Sequence, residues 1–194
     1  MKKWITESSR EVYSHPHLSI VEDKIRILPD EVVGERFITI KGKDVALILP
    51  IKEHSGDQFF GLVHQYRYSW GTMSWEIPAG LREENEDIKI TAQRELEEET
   101  GLRCSPDDLL ALMSFRSNAI SQAVYYVFEV KTFEEGLSHP EDTEDLYFAW
   151  KRREEVSDML RDGVISHGPT YTGLLWAFFF RNRLRRNRKS VAKT

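Results

Sequence analysis

Cysteine is almost absent from this sequence: Cys104 stands alone among 194 residues. An intrachain disulfide is thereby excluded, and so is a thiolate metal cluster built from one chain. Long apolar runs are missing too. The longest, Leu174 to Phe180, falls far short of the roughly 20 residues a spanning helix needs. Met1 to Arg10 mix charge with polarity and carry no apolar stretch leading to a small-residue cleavage site. No secretory signal is therefore expected, and the expected location is cytoplasmic. The six histidines show no metal-ligand spacing, and Ser69 and Ser74 lack the partners of a nucleophilic serine. There is no internal repeat and no low-complexity segment.

What remains is an ordinary globular composition, 40% hydrophobic and 30% charged. The length suits one domain with a small appendage. Charge is unevenly spread. The net charge is −5, but residues 181–194 hold seven basic groups (Arg181, Arg183, Arg185, Arg186, Arg188, Lys189, Lys193) and no acid. The remainder therefore carries −12. An acidic body attracts divalent cations more readily than nucleic acid.

The apolar pattern predicts strands first. Residues 1–42 alternate in short runs, separated by turn signals such as Leu28-Pro29-Asp30, and read as two or three antiparallel strands. Val45 to Ile51 reads as a buried strand, and Phe59 to Tyr66 as its return after a turn at His54 to Asp57. From Asp87 the period changes: Ile88, Ala92, Leu96 and Glu99 recur at helical spacing, ending at Gly101. Strands follow at Leu109 to Phe115, Ala123 to Val130 and Leu146 to Trp150, with an acidic loop at Phe133 to Thr143. Helices are expected at Arg153 to Arg161 and Thr170 to Asn187. This order indicates an α+β chain, an α/β/α sandwich.

The chemistry concentrates between Trp75 and Leu102. Glu95, Glu98 and Glu99 fall at i, i+3 and i+4, so their carboxylates share one helix face. Like charges so placed destabilise a helix by roughly 0.2–0.5 kcal/mol per pair. A hard divalent cation would remove that repulsion, since such ions take oxygen ligands. Taken alone, the acid run also fits a solvated helix face. The wider pattern is more specific: Gly80, five residues, Glu86, seven residues, then Arg94-Glu95-Leu96, any residue, Glu98-Glu99, any residue, Gly101-Leu102. This matches every fixed position of the Nudix box, and the sequence resembles the Nudix hydrolases.

The resemblance implies a Nudix fold with a mixed central sheet and an N-terminal antiparallel strand extension. It implies an N-terminal extension over 1–42, a Nudix domain over 43–187 and a basic tail over 188–194. It implies magnesium, or manganese, held by Glu95, Glu98, Glu99 and the carbonyl of Ala79, with Glu98 also counted among the catalytic acids. Arg94 and Glu86 would be the ion pair that holds the acids in place, Gly80 would allow a tight turn, and Glu97 and Thr100 would be solvated. The reaction implied is hydrolysis of a nucleoside diphosphate linked to another group.

The flanks narrow the branch. His64-Gln65-Tyr66-Arg67 and Trp75-Glu76-Ile77-Pro78-Ala79-Gly80 resemble the ADP-ribose and nucleoside diphosphate sugar pyrophosphatases. That branch implies a homodimer through the N-terminal strands, Arg67 on a substrate phosphate, and Glu76 on substrate or behind the metal site. After the box the resemblance weakens: Asn118 stands where a proline accompanies ADP-ribose preference, and Gln122 and Ala123 stand where acids are usual. Other nucleotide sugars thus stay open, with Arg116 and Asn118 as further substrate contacts. The branch places a general base on a loop before the last strand, which points to Glu144, then Glu141. Two other readings remain: a nucleotide-sensing Nudix module with weak catalysis, and an RNA-end processing enzyme using the basic tail. Membrane association is not expected.

Overall fold

The computed structural model describes residues 2–29, 32–139 and 145–180, without the side chains of residues 32–36. They form two units. One comprises residues 1–44 with 115–124, the other the rest.

In the first unit, β1 (Lys3–His15), β2 (Leu18–Leu28) and β3 (Val32–Gly42) form an antiparallel sheet in chain order. Pro16 and His17 make the turn between β1 and β2. Val21 and Ile25 of β2 are buried, while every residue of β1 is exposed. The segment 115–124 meets β3 through an isolated parallel bridge between Ile40 and Ser121. Ile40 N donates to Ile120 O at 2.8 Å, Gln122 N to Ile40 O at 2.9 Å, and Val124 N to the Asp44 carboxylate at 2.9 Å.

The second unit is built on β4 (Val45–His54), β5 (Asp57–Arg67), β6 (Thr72–Glu76), β7 (Ala79–Leu81), α1 (Ile88–Thr100), β8 (Leu102–Arg103), β9 (Leu110–Phe115), β10 (Tyr125–Val130), β11 (Glu134–Glu135), β12 (Leu146–Arg152), α2 (Arg153–Arg161) and α3 (Gly168–Phe179). The main sheet runs β12-β5-β4-β10-β9, with β6 on β5 and β7 on β4. It is mixed: β10 lies parallel to β4, whereas β5 and β7 lie antiparallel to it. The α+β sandwich follows from strand alternation. Ala46, Ile48, Phe128 and Val130 pack with Ala92 and Leu96 of α1. Val127, which points the other way from Phe128, meets Gly173 of α3, as does Ile77. Helices thus cover both faces.

Four short strands, β6, β7, β8 and β11, lie where the apolar pattern gave no sign. Two of them pair across the expected acidic loop: Glu134 stands opposite Arg103 and Glu135 opposite Leu102. Within the described residues α3 runs Gly168–Phe179, starting two residues before the expected Thr170. The stretch 181–194, including the expected helix end at Asn187 and the basic tail, lies outside the described residues. Cys104 is half-buried against the α1 core, and burial, with Asp108 adding to it, pushes its thiol up to about 11.

Gly61 of β5 marks a close approach. A Cβ there would lie 2.7 Å from Cε2 of Phe148 and 3.0 Å from Cγ of Pro50. Gly61→Ala should therefore destabilise the fold by about 1–3 kcal/mol, the range for overpacking. In urea denaturation, the penalty should shrink when Phe148→Leu is combined with it. Equal penalties in both backgrounds would show that the Phe148 ring is not the obstacle.

Candidate active site

The site begins with how α1 is held. Asp87 caps its start, accepting from Lys89 N at 2.8 Å, and Gly101 ends it at φ 73° with its N–H on Glu97 O. Ala92 and Leu96 fix the apolar side on the sheet. That rotation brings Glu95 and Glu99 to 9% and 2% exposure beside β7. Glu99 Oε2 accepts from Ala79 N at 3.0 Å.

Gly80 earns its place by clearance rather than by backbone freedom. It lacks a positive φ, and a Cβ there would lie 1.8 Å from Cδ of Glu95. The tight-turn expectation is replaced by this steric reason.

Arg94 organises the acids. Its Nη1 donates to Glu95 Oε1 at 2.7 Å and to Glu98 Oε2 at 2.9 Å. Its Nε reaches Glu86 Oε1 at 3.3 Å, and its Nη2 reaches Leu81 O at 3.2 Å. Burial works against the guanidinium's charge, but Glu86 and Glu95 outweigh it and raise its pKa. Glu86 in turn accepts from Thr91 Oγ1 at 2.7 Å and from Glu83 N at 3.0 Å. Burial alone would raise the Glu86 pKa, but Arg94 and these bonds lower it. Of the two flanking positions expected to be solvated, Thr100 departs: it is buried, donating to Leu96 O and accepting from Leu102 N. Glu97, its side chain 41% exposed, takes Arg103 Nε at 2.8 Å.

Among the described residues, no three acid, histidine or cysteine side chains converge as a ready chelate. Glu95 and Glu98 each direct an oxygen to one Arg94 nitrogen, so a cation would have to replace that nitrogen. The donors still suit a hard divalent ion: they are carboxylates on one helix face.

A second charged group lies on β5 and β6. Glu76, at 0% exposure, takes Arg67 in a fork, Nε to Oε1 at 2.9 Å and Nη2 to Oε2 at 2.7 Å. His167 Nδ1 approaches Oε2 at 2.8 Å from the start of α3. The same nitrogen lies 2.9 Å from Thr170 Oγ1, which accepts from Ile77 N at 3.0 Å. Burial would raise the Glu76 pKa, but the bonds from Arg67 and His167 prevail and hold it at about 2. His167 and Thr170 escaped the sequence reading. Pro169 signals a helix start, yet nothing near it points to Glu76.

Asn118 and Arg116 are each bonded within their own turn. Asn118 Oδ1 accepts from Ile120 N at 3.0 Å and Ser121 N at 2.7 Å, closing its own turn. Arg116 Nη1 donates to Gln122 O at 2.6 Å. Both belong to the first unit. Trp75 is packed, stacked on His64 at 4.4 Å with Tyr147 edge-on at 5.6 Å, whereas Trp70 stays 49% exposed. Glu141 and Glu144 lie outside the described residues. The chain approaches that segment with Gly136 N on Gly101 O and His139 N on Glu98 O, both at 2.8 Å. It leaves with Asp145 O accepting from Tyr66 N at 3.0 Å.

A model of the NUDIX domain matches residues 42–174. A hydrolase of CMP-5'-(N-acetyl-N-hydroxy-3-aminopropyl)phosphonate from Streptomyces rubellomurinus is 25% identical over 174 residues, covering 89% of this chain and 81% of that protein. An ADP-ribose pyrophosphatase from Mycobacterium tuberculosis is 25% identical over 88% of this chain and 81% of its own length. A methanol dehydrogenase activator from Bacillus methanolicus is 30% identical over 73% and 71%. The crystal structure of an ADP compounds hydrolase superposes with a TM-score of 0.72, covering 95% of this chain and 96% of that one at 15% identity.

The Glu76 pair makes a pH prediction. Its folded pKa, about 2, lies below the ordinary 4.5. The pair's stabilisation is therefore complete above about pH 4.5 and is lost as pH falls toward 2, a linkage of about 3 kcal/mol. In urea denaturation, the stability gap between the native protein and Glu76→Gln should narrow across that window. A constant gap would mean that Glu76 is not held ionised.

Proposed function

We propose, from the premise that this chain belongs to the Nudix hydrolase family, that it cleaves the diphosphate of ADP-ribose or another nucleotide sugar. The products would be a nucleoside monophosphate and a sugar phosphate. The carrying observation is the acid face of α1: Glu95 and Glu98 on a shared Arg94, and Glu99 tied to the backbone of β7. The activities of two relatives, on ADP-ribose and on a CMP-linked phosphonate, support a nucleoside phosphoanhydride substrate.

Nudix hydrolases generally use divalent metal ions. In this reading magnesium, or manganese, is the ion, and Glu95, Glu98, Glu99 and the Ala79 carbonyl hold it. When bound, such an ion neutralises diphosphate oxygens and lowers the pKa of a bound water. The rest of the work falls to the chain. Glu86 and Arg94 keep the acid face oriented. Arg67, 36% exposed in its side chain and held by Glu76, meets an anionic oxygen of the substrate. Glu144 or Glu141 serves as general base. Support for that role comes from the described flanks, which are bonded to Glu98 and Gly101 on one side and to Tyr66 on the other. Arg116 and Asn118 remain proposed substrate contacts, and each would have to give up a bond within its turn.

The chain is also proposed to pair with a second copy through β1, at the edge of its sheet. Trp4, Ile5, Val12 and Tyr13 are exposed along it, and an exposed apolar edge strand favours association. Among the described residues no helix is long and apolar enough to cross a membrane. The proposed location is the cytoplasm.

The test is product release from ADP-ribose, other nucleotide sugars and dinucleotides, with and without Mg²⁺. One substrate should stand out, and chelation should abolish turnover. Glu99→Gln should lower kcat at least about 100-fold, matching loss of several kcal/mol of metal-assisted stabilisation, while the fold persists. Full activity in that variant would overturn the reading.

Gly80→Ala separates site geometry from stability. Its Cβ would press on the flexible Glu95 carboxyl rather than on backbone. Turnover should fall about tenfold or more while stability changes by less than about 1 kcal/mol, because the displaced group is a side-chain tip. Activity and denaturation midpoint measured together check this.

A further inference from the structure

We propose that His167 is a positioning residue, whose Nδ1–H fixes the Glu76 carboxylate so that Arg67 presents its guanidinium to the substrate in one orientation. The inference rests on the reading of Arg67 as a substrate contact.

The tautomer follows from the charges. Glu76 carries no exposed surface, and its Oε2 lies 2.8 Å from His167 Nδ1. A bare nitrogen there would set two lone pairs against each other, so Nδ1 carries the proton and donates to Oε2. Oε2 then accepts from both His167 and Arg67 Nη2, while Oε1 accepts from Arg67 Nε. One donor on each oxygen would fix the fork in distance. The second donor on Oε2 also resists rotation of the carboxylate plane, and the plane of a forked pair sets the direction of the guanidinium.

His167 is itself well seated. It directly precedes α3, its side chain is 16% exposed, and the Trp70 ring stands 5.9 Å away, tilted at 53°. Thr170 Oγ1 lies 2.9 Å from the same Nδ1 while accepting from Ile77 N, next to Glu76. The first turn of α3 is thereby tied to the strand end that carries Glu76. That turn acts as a support for the β5–β6 pair, and His167 is its contact with the carboxylate.

The experiment compares His167→Leu, His167→Gln and His167→Asn with Arg67→Ala. Asn places an amide N–H near the Nδ1 position, whereas Gln places one near Nε2 and Leu offers none. His167→Leu and His167→Gln should raise KM about tenfold with less than a twofold change in kcat, the scale of one charge-assisted hydrogen bond. His167→Asn should return KM to within about twofold. The Arg67 Nε–H proton, followed by nitrogen-15 NMR, should exchange faster with water in the Gln variant than in the Asn variant. If His167→Leu does not fold, the Gln and Asn comparison carries the test.

Equal KM values in the Gln and Asn variants, or equal Arg67 Nε–H exchange, would overturn the role of His167. An unchanged KM in Arg67→Ala would instead overturn the reading of Arg67. The exchange comparison would then still decide whether His167 orients it.

Discussion

Three carboxylates on one face of a helix repel one another, and the folded chain has to offset that repulsion unaided. Arg94 does so. It sits one residue before Glu95 and one turn before Glu98, and its Nη1 touches both. Its other nitrogens reach back to Glu86 and Leu81, so the same group fastens the helix to the loop that leads into it. Glu99 is relieved differently, by an N–H of β7. The position of β7, the loop and α1 relative to one another therefore depends on neutralising this acid face. Gly80 belongs to the same constraint, since any side chain there would drive Glu95 off its place.

The Glu76 group shows the contrasting solution. Both its oxygens are engaged, one of them twice, by groups from β5 and from the residue before α3. A fully buried carboxylate so satisfied is held ionised and has nothing to gain from exchanging partners. Of the acids of α1, Glu95 and Glu98 both bond to one nitrogen of the Arg94 guanidinium. In the proposed reading a hard cation takes the place of that nitrogen, whereas Glu76 keeps its partners and orients Arg67.

What could be read from the sequence follows the range of the interactions. The helix, its cap at Gly101 and its acid face rest on spacings within one or two turns, which the sequence displays directly. The pairing of Arg94 with Glu86 was legible only through the family resemblance, and Arg94's grip on Glu95 and Glu98 was not. Gly80 was read as a turn residue following Pro78, as the family resemblance implies. Its true neighbour, the Glu95 side chain, comes close only when β7 pairs with β4. Thr100 looked solvated because its buried hydroxyl is satisfied by local backbone. His167 was invisible: its partner Glu76 is remote in sequence, and no periodicity links them. Strands β6, β7, β8 and β11 were missed because two to five residues carry too little alternation. The join of 115–124 to β3 rests on backbone hydrogen bonds, to which side-chain pattern is blind.

Gly101 connects the acid helix to the segment bearing Glu141 and Glu144. Its positive φ closes α1, which would by itself account for a glycine. Its carbonyl also accepts from Gly136 N, and a Cβ on it would lie 2.5 Å from Gly136 O. The helix end and the incoming loop therefore meet backbone to backbone, with His139 N on Glu98 O as the next rung. On the outgoing side, Asp145 O takes Tyr66 N, the residue before Arg67. The segment between is thus bounded at one end by the acid helix and at the other by the strand that carries Arg67. A displacement of α1 or of β5 moves one of those anchor points. In the proposed reading, general base, metal-holding acids and Arg67 are then coupled through main-chain hydrogen bonds, a firmer linkage than contacts between long side chains provide.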